Sequence, residues 1–246
     1  MNKKIIAVDG PAGAGKSTVS KLVAQKLNYT YIDTGAMYRA VALKVIGLNK
    51  PVTEELIVDV ARDIDIDLRY EDGITKVFVD GEEVTGKIRT PEVSKAASDV
   101  AKSGFVRERL TELQRKMATR GGVIMDGRDI GTHVLPNADL KIYLTASVEE
   151  RAKRRCDELK AKGFEANIED IAKDIQARDK QDMEREIAPL KQAEDAILLD
   201  TTGMSIDEVV NAILKFYSKI FETSTGEVVG GMIADAILDT VTGAVF

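Results

Sequence analysis

Residues 10–17 read G-P-A-G-A-G-K-S, which fits G-x-x-x-x-G-K-S. The chemistry open to these residue types is the holding of a phosphate chain. Gly10, Gly13 and Gly15 let the backbone come close and reach dihedrals that a Cβ forbids, so successive N–H groups can turn toward one anion. Pro11, Ala12 and Ala14 complete the cradle, and Thr18 follows it. Lys16 is placed to reach β- and γ-phosphates, and the Ser17 hydroxyl to ligate Mg²⁺. Downstream, Asp126 ends the apolar run GVIMD and suits a second, carboxylate contact to the same Mg²⁺, direct or through water.

Such a loop works only between a strand and a helix. Ile5, Ile6, Ala7 and Val8 form a short apolar run suited to a buried parallel strand, and Val19, Leu22, Val23 and Leu27 recur at helical spacing. The helix that begins near Lys16 adds its positive end to the site. Further on, YTYID, GVIMD, LKIYL and AILLD read as strands, and TGAMYRAVALKVIG reads as a helix ended by Gly47. Strands alternating with helices predict a five-stranded parallel sheet covered on both faces, with the phosphate loop at the carboxyl end of its first strand.

Two segments break the alternation. Residues 64–84 show period-two patterning with turn signals at Asp72-Gly73 and Asp80-Gly81, which predicts a small antiparallel β insertion within about residues 63–90. Residues 151–188 are helical and densely charged, and predict a hairpin that either is simply solvated or serves as a helical lid over phosphates.

The chain has 246 residues, enough for one α/β domain with insertions or two small domains, and its 44% apolar and 31% charged content is that of an ordinary globular protein. A net charge of -6 argues against a broad basic surface for polymeric nucleic acid. Neither a membrane span nor a leader pattern is legible, and the expected location is cytoplasmic. One cysteine, Cys156, permits no intrachain disulfide, and one histidine, His133, excludes histidine-based triads and multi-histidine zinc sites.

A phosphate loop alone admits kinases, ATPases and switch GTPases, and the chain lacks the N-K-x-D guanine reader of the last class. The segments DTGAMYRA, KIRTPEVSKAASDVA, FVRERL, MDGRDIGTHV and QARDKQDMER, together with GPAGAGKST, closely resemble the bacterial cytidylate kinase family over about residues 4–217. That family has the P-loop NTPase-type fold. The resemblance implies transfer of a phosphoryl group from ATP to CMP and dCMP, with Mg²⁺ accompanying ATP. Because two polyanions must meet, positioning and charge neutralisation would dominate, which suits an arginine-rich chain.

By resemblance, Arg39 and Arg128 hold the α-phosphate of the acceptor, and Arg185 lies near the phosphate. Ser98, Arg107 and Asp129 would read the cytosine edge, with Thr34 nearby, and the DTGAMYRA match also brings Asp33 and Tyr38 to the CMP site. Asp129 can accept from the exocyclic amine and Arg107 can donate to the ring acceptors. Arg178 and Asp182 would contact the ribose hydroxyls. These two and Arg185 are spaced i, i+4, i+7 and are expected on one helix face, where an intrahelical ion pair is the plainer account. The transfer step is assigned to Lys16, Arg128, Arg185 and Asp129. Arg151, Arg154 and Arg155 share a face of the preceding helix and could close over the ATP phosphates.

Two other readings stay open: a P-loop kinase for UMP, AMP or a hydroxy acid such as shikimate, and a nucleotide-dependent switch or binding module without transfer. Residues 1–220 are expected to form the kinase domain and 221–246 a C-terminal extension. In that extension Val229, Met232, Ile233, Ala236, Ile237, Val241 and Ala244 gather on one helical face. It is either a frayed appendage or a short amphipathic helix that docks on its own body or another chain. A monomer is expected unless the extension docks.

Overall fold

The computed structural model describes residues 3–71, 74–161 and 163–224. The Asp72-Gly73 turn signal and most of the 221–246 extension therefore lie outside the described residues.

Strand β1 (Ile5–Asp9) is buried along nearly its whole length. Gly15, at φ 87°, starts helix α1 (Lys16–Leu27) without a side-chain cap, and the helix stops at Asn28 in the left-handed region, which asparagine tolerates. Strand β2 (Thr30–Asp33) leads straight into α2 (Thr34–Gly47), where the Asp33 carboxylate accepts from the Ala36 N–H at 2.8 Å and caps the helix. The buried face of α2, carried by Ala36, Met37, Ala40, Val41 and Val45, packs into a core shared with α3 (Glu54–Asp63), α4 (Pro91–Val100) and α5 (Gly104–Ala118).

The antiparallel insertion runs through β3 (Ile66–Glu71), β4 (Ile74–Val79) and β5 (Glu82–Glu83). Ile66 pairs with Val79 and Leu68 with Val77, so one face of this sheet is apolar and joins the same core. A 3₁₀ turn at Lys87–Arg89 returns the chain to the main body.

Strands β6 (Val123–Gly127), β7 (Leu140–Thr145) and β8 (Ile197–Asp200) complete the main sheet, with the order β2-β6-β1-β7-β8 and every pairing parallel. The phosphate-loop strand is thus central. A π-helical turn (Ile130–Val134) lies between β6 and β7, and helices α6 (Val148–Ala161) and α7 (Ile168–Glu184) form the charged hairpin between β7 and β8. Helix α8 (Ile206–Ser224) packs with α1 over one face of the sheet through Val209, Val210 and Ile213. On the other face, Ala118 from α5 and Ile130 and Val134 from the π turn meet Ala7, Ile32 and Met125.

Candidate active site

The phosphate loop leaves no freedom at its first glycine. Gly10 has φ 149°, and a Cβ there would sit 1.9 Å from the Leu144 carbonyl oxygen of β7. No side chain fits between the loop and that strand. At the loop's end Lys16 is buried, with Nζ donating to the carbonyls of Gly10 and Pro11 at 2.7 Å each. Burial, and next the Arg128 guanidinium, hold its pKa well below the usual lysine range. A phosphate beside Lys16 would supply the negative charge that restores it.

The crest of the loop is clamped. The Ala12 N–H donates to Asp179 Oδ1 at 3.1 Å, and the Ala12 carbonyl accepts from Arg151 Nη1 at 2.9 Å. Arg151 and Asp179 are themselves paired at 2.6 Å, and Arg151 Nε also donates to the Ala146 carbonyl. Both side chains are buried. Pro11, Ala12 and Ala14 are buried as well, whereas Gly13 and Thr18 are exposed and Gly15 and Ser17 half-buried.

Ser17 Oγ donates to Asp126 Oδ2 at 2.9 Å, and the Tyr31 hydroxyl donates to Oδ1 at 2.6 Å. Burial, followed by the charge of Asp33, raises the Asp126 pKa. No cluster of three or more histidine, cysteine or acidic ligands occurs among the described residues. A hydroxyl beside one carboxylate fits Mg²⁺, which takes few protein ligands and completes its octahedron with water and phosphate oxygens.

A second cluster, a mesh of guanidiniums and carboxylates, lies at the carboxyl end of β6. Arg128 Nε donates to Asp182 Oδ2 at 2.9 Å, and Arg107 Nη2 donates to Asp129 Oδ2 at 2.5 Å. Arg185 lies 3.4 Å from Asp129 and 3.7 Å from Asp182. Arg107 stands over the ring of Tyr38, 5.8 Å from its centroid, and burial pushes the Tyr38 hydroxyl up to about 12. Arg178 Nε is buried without a hydrogen-bond partner among the described residues, and burial together with Arg128 draws that guanidinium down to about 10. It remains a cation at neutral pH.

Two features differ from the simple helical expectation. Asp182 pairs with Arg128 from another element and, more distantly, with Arg185. Arg185 itself sits just past the end of α7, with ψ 143°, and its guanidinium turns onto the Ala188 carbonyl. The physical reason is the chain reversal at Ala188, which has φ 46° and precedes Pro189.

Arg39 and Arg89 both pair with Asp33 at 3.1 Å, so the carboxylate that caps α2 also ties the 3₁₀ turn to the main body. Thr34 Oγ1 donates to the Asp126 carbonyl at 2.7 Å. Ser98 is half-buried, its hydroxyl 3.5 Å from the Ser94 carbonyl, while its own carbonyl accepts from Gln181 of α7. On α6, Arg154 binds Glu150 and both oxygens of Thr201, and Nη1 lies 3.8 Å from where a Gly15 side chain would begin. Arg155 pairs with Glu158 and is partly exposed.

Sequence reasoning passed over Asp9, Tyr31, Arg89 and Asp179. Asp9 carried a signal only as an acidic residue ending an apolar strand, and Asp179 carried none, because the burial of its partner Arg151 is not legible in the composition. Both are buried here.

Residues 6–219 match the family model for cytidylate kinase. A cytidylate kinase from Caldicellulosiruptor bescii is 57% identical over 221 residues, covering 89% of this chain and 98% of that protein. Cytidylate kinases from Desulfitobacterium hafniense and Bacillus cereus are 54% and 50% identical, over 89% and 90% of this chain and 94% and 99% of theirs. With a phosphate loop, a guanidinium-rich corner at the end of β6 and this extent of likeness, the chain belongs to the cytidylate kinase family.

Proposed function

We propose that this chain transfers the γ-phosphoryl group of ATP to CMP, and to dCMP, giving ADP and CDP or dCDP. The observation that carries the reading is the acceptor corner, where the Arg107–Asp129 pair offers a donor beside an acceptor within a few residues of Arg128 and within reach of Arg185. The exocyclic amine of cytosine needs an acceptor, and its ring nitrogen and carbonyl need a donor, which that pair supplies. Arg39, Arg128 and Arg178 meet the acceptor phosphate and ribose with forked donors that lysine would not reproduce.

The donor nucleotide lies on the phosphate loop. Lys16 exchanges the carbonyls of Gly10 and Pro11 for phosphate oxygens, and Arg154 stands beside Gly15 on the same side. Mg²⁺, when bound with ATP, neutralises phosphate charge, and Ser17 and Asp126 would hold it. Arg128, whose charge is opposed most by burial but restored by Asp182, Asp126 and Asp179 acting together, remains cationic as the transferred group moves between the two oxygens. No strong base is required for a phosphate nucleophile that is already anionic.

Water at the γ-phosphate would compete with the acceptor, so residues 151–188 and the β3–β5 insertion are proposed to close over the crevice. Hydrogen exchange with a bisubstrate analogue would then slow in both segments, and unchanged exchange would contradict closure. No helix among the described residues is long and apolar enough to cross a membrane. We place the enzyme in the cytoplasm.

An ADP-release assay with CMP, dCMP, UMP and AMP as acceptors tests the reading. CMP and dCMP should give the highest kcat/KM; a preference for AMP would overturn it.

A further inference from the structure

We propose that Asp9 is the positioning residue for base recognition, because it caps the π-helical turn that Asp129 would otherwise cap for itself. The proposal rests on the reading that Asp129 accepts from the cytosine amine.

Asp129 occupies the residue immediately before the turn at Ile130–Val134, and the turn's own bonds start from its carbonyl, which accepts from His133 at 2.9 Å and Val134 at 3.1 Å. A helical turn exposes its first N–H groups, and an aspartate in this place ordinarily folds its carboxylate back onto them. Here the Asp129 side chain makes no such bond. The two N–H groups are taken instead by a carboxylate from another strand: Ile130 donates to Asp9 Oδ1 at 2.8 Å and Gly131 to Asp9 Oδ2 at 2.7 Å. Asp129 is thereby left free to pair with Arg107 and to face Arg185.

The arrangement is enclosed. Asp9 is 5% exposed, and a Cβ on Gly131 would meet Asp9 Oδ2 at 3.4 Å and the Lys141 stem at 3.1 Å, so glycine permits the close approach. Lys141 itself pairs with Asp195 and leaves the Asp9 carboxylate to the two amides. Asp9 also directly precedes Gly10, whose carbonyl accepts from Lys16. One side chain therefore fixes the base-reading residue against the strand that launches the phosphate loop.

Removing the carboxylate should let Asp129 close onto its own turn and withdraw from the crevice. In Asp9→Ala, the ratio of kcat/KM for CMP to that for UMP should fall about 10-fold or more, as expected when a charge-assisted recognition contact is lost. Asp9→Asn, which keeps one acceptor, should fall less. A purely structural role would lower both acceptors alike and leave the ratio unchanged, and that result would overturn the proposal. Asp129→Ala, measured beside it, separates the two ideas: an unchanged ratio there refutes Asp129 as base reader, whereas a lowered ratio there with an unchanged one in Asp9→Ala refutes the positioning role alone. Should Asp9→Ala fail to fold, hydrogen exchange on the wild-type enzyme without CMP decides. The Ile130 and Gly131 amides should already be protected, and rapid exchange at both would overturn the proposal.

Discussion

On α6, Arg151 donates to the main-chain carbonyls of Ala12 and Ala146 as well as to Asp179, and Arg154 donates to the Thr201 carbonyl and hydroxyl as well as to Glu150. In the proposed acceptor corner, Arg107 and Arg128 face carboxylates, and Arg178 Nε has no hydrogen-bond partner among the described residues. On the proposed reading, the difference separates construction from recognition. A guanidinium locked onto neutral carbonyls of its own fold, and balanced by a buried aspartate, shapes the loop that touches the nucleotide. A corner where Arg107, Arg128, Arg178 and Arg185 outnumber Asp129 and Asp182 carries positive charge that an incoming phosphate can neutralise.

Lys16→Ala is expected to give the largest effect. Loss of a preorganised cation at the transferred group should lower kcat by roughly 10³-fold or more while circular dichroism stays unchanged. Near-normal turnover in that variant would remove the loop from the chemistry altogether.

The comparison itself is tested by two arginines. Arg151→Ala leaves Asp179 buried and unpaired, so the unfolding free energy should drop by about 3–5 kcal/mol in denaturant titrations. Arg178→Ala removes a partly desolvated cation, so stability should hold within about 1 kcal/mol or rise, while kcat/KM for CMP falls by about 10-fold or more. If the two variants exchanged these phenotypes, the division between building and recognising arginines would collapse.

A pH measurement sharpens it further. Burial raises the Asp9 carboxyl from 3.8 to about 6, overcoming the bonds from Gly131 and Ile130 that lower it. The folded state therefore favours the protonated form. That contribution is fully present below about pH 3.8 and is lost as pH rises through about 6. Wild-type stability relative to Asp9→Asn should decline over this interval by at most about 1.4 kcal/mol per pH unit. A flat difference would show that the carboxyl titrates in its ordinary range.

Arg155 should mark the floor of the series. Its pair with Glu158 is 36% and 46% exposed, so Arg155→Ala should change stability by less than about 0.5 kcal/mol. A large loss of ATP affinity in this variant would promote Arg155 to the nucleotide site.

The frame of the molecule was readable because local rules and the fold agree. TGAMYRAVALKVIG becomes α2 residue for residue, and the apolar runs become strands with ends shifted by about one residue. The charged segment ERAKRRCDELK misleads in one respect, since its composition suggests solvent yet Arg151 is buried. What decides that burial is Asp179 on the next helix and Ala12 on the loop, 139 residues away. The role of Asp9, unlike its place at the end of an apolar strand, was equally opaque, because its partners are backbone amides 121 and 122 residues along the chain. A backbone N–H has no residue type, so no motif announces it.

The strand order also has a consequence in time. β1 is flanked by β6 and β7, and the bond from the Ile5 N–H to Asp139 spans 134 residues. At about 5–20 residues per second of synthesis, the apolar strand that opens the chain waits on the order of 10 s before both neighbours exist. Closing so long a loop is also entropically slow. The phosphate loop, made well before the strands that flank β1, thus acquires its shape late, and a nascent chain cannot capture ATP until its sheet is nearly whole.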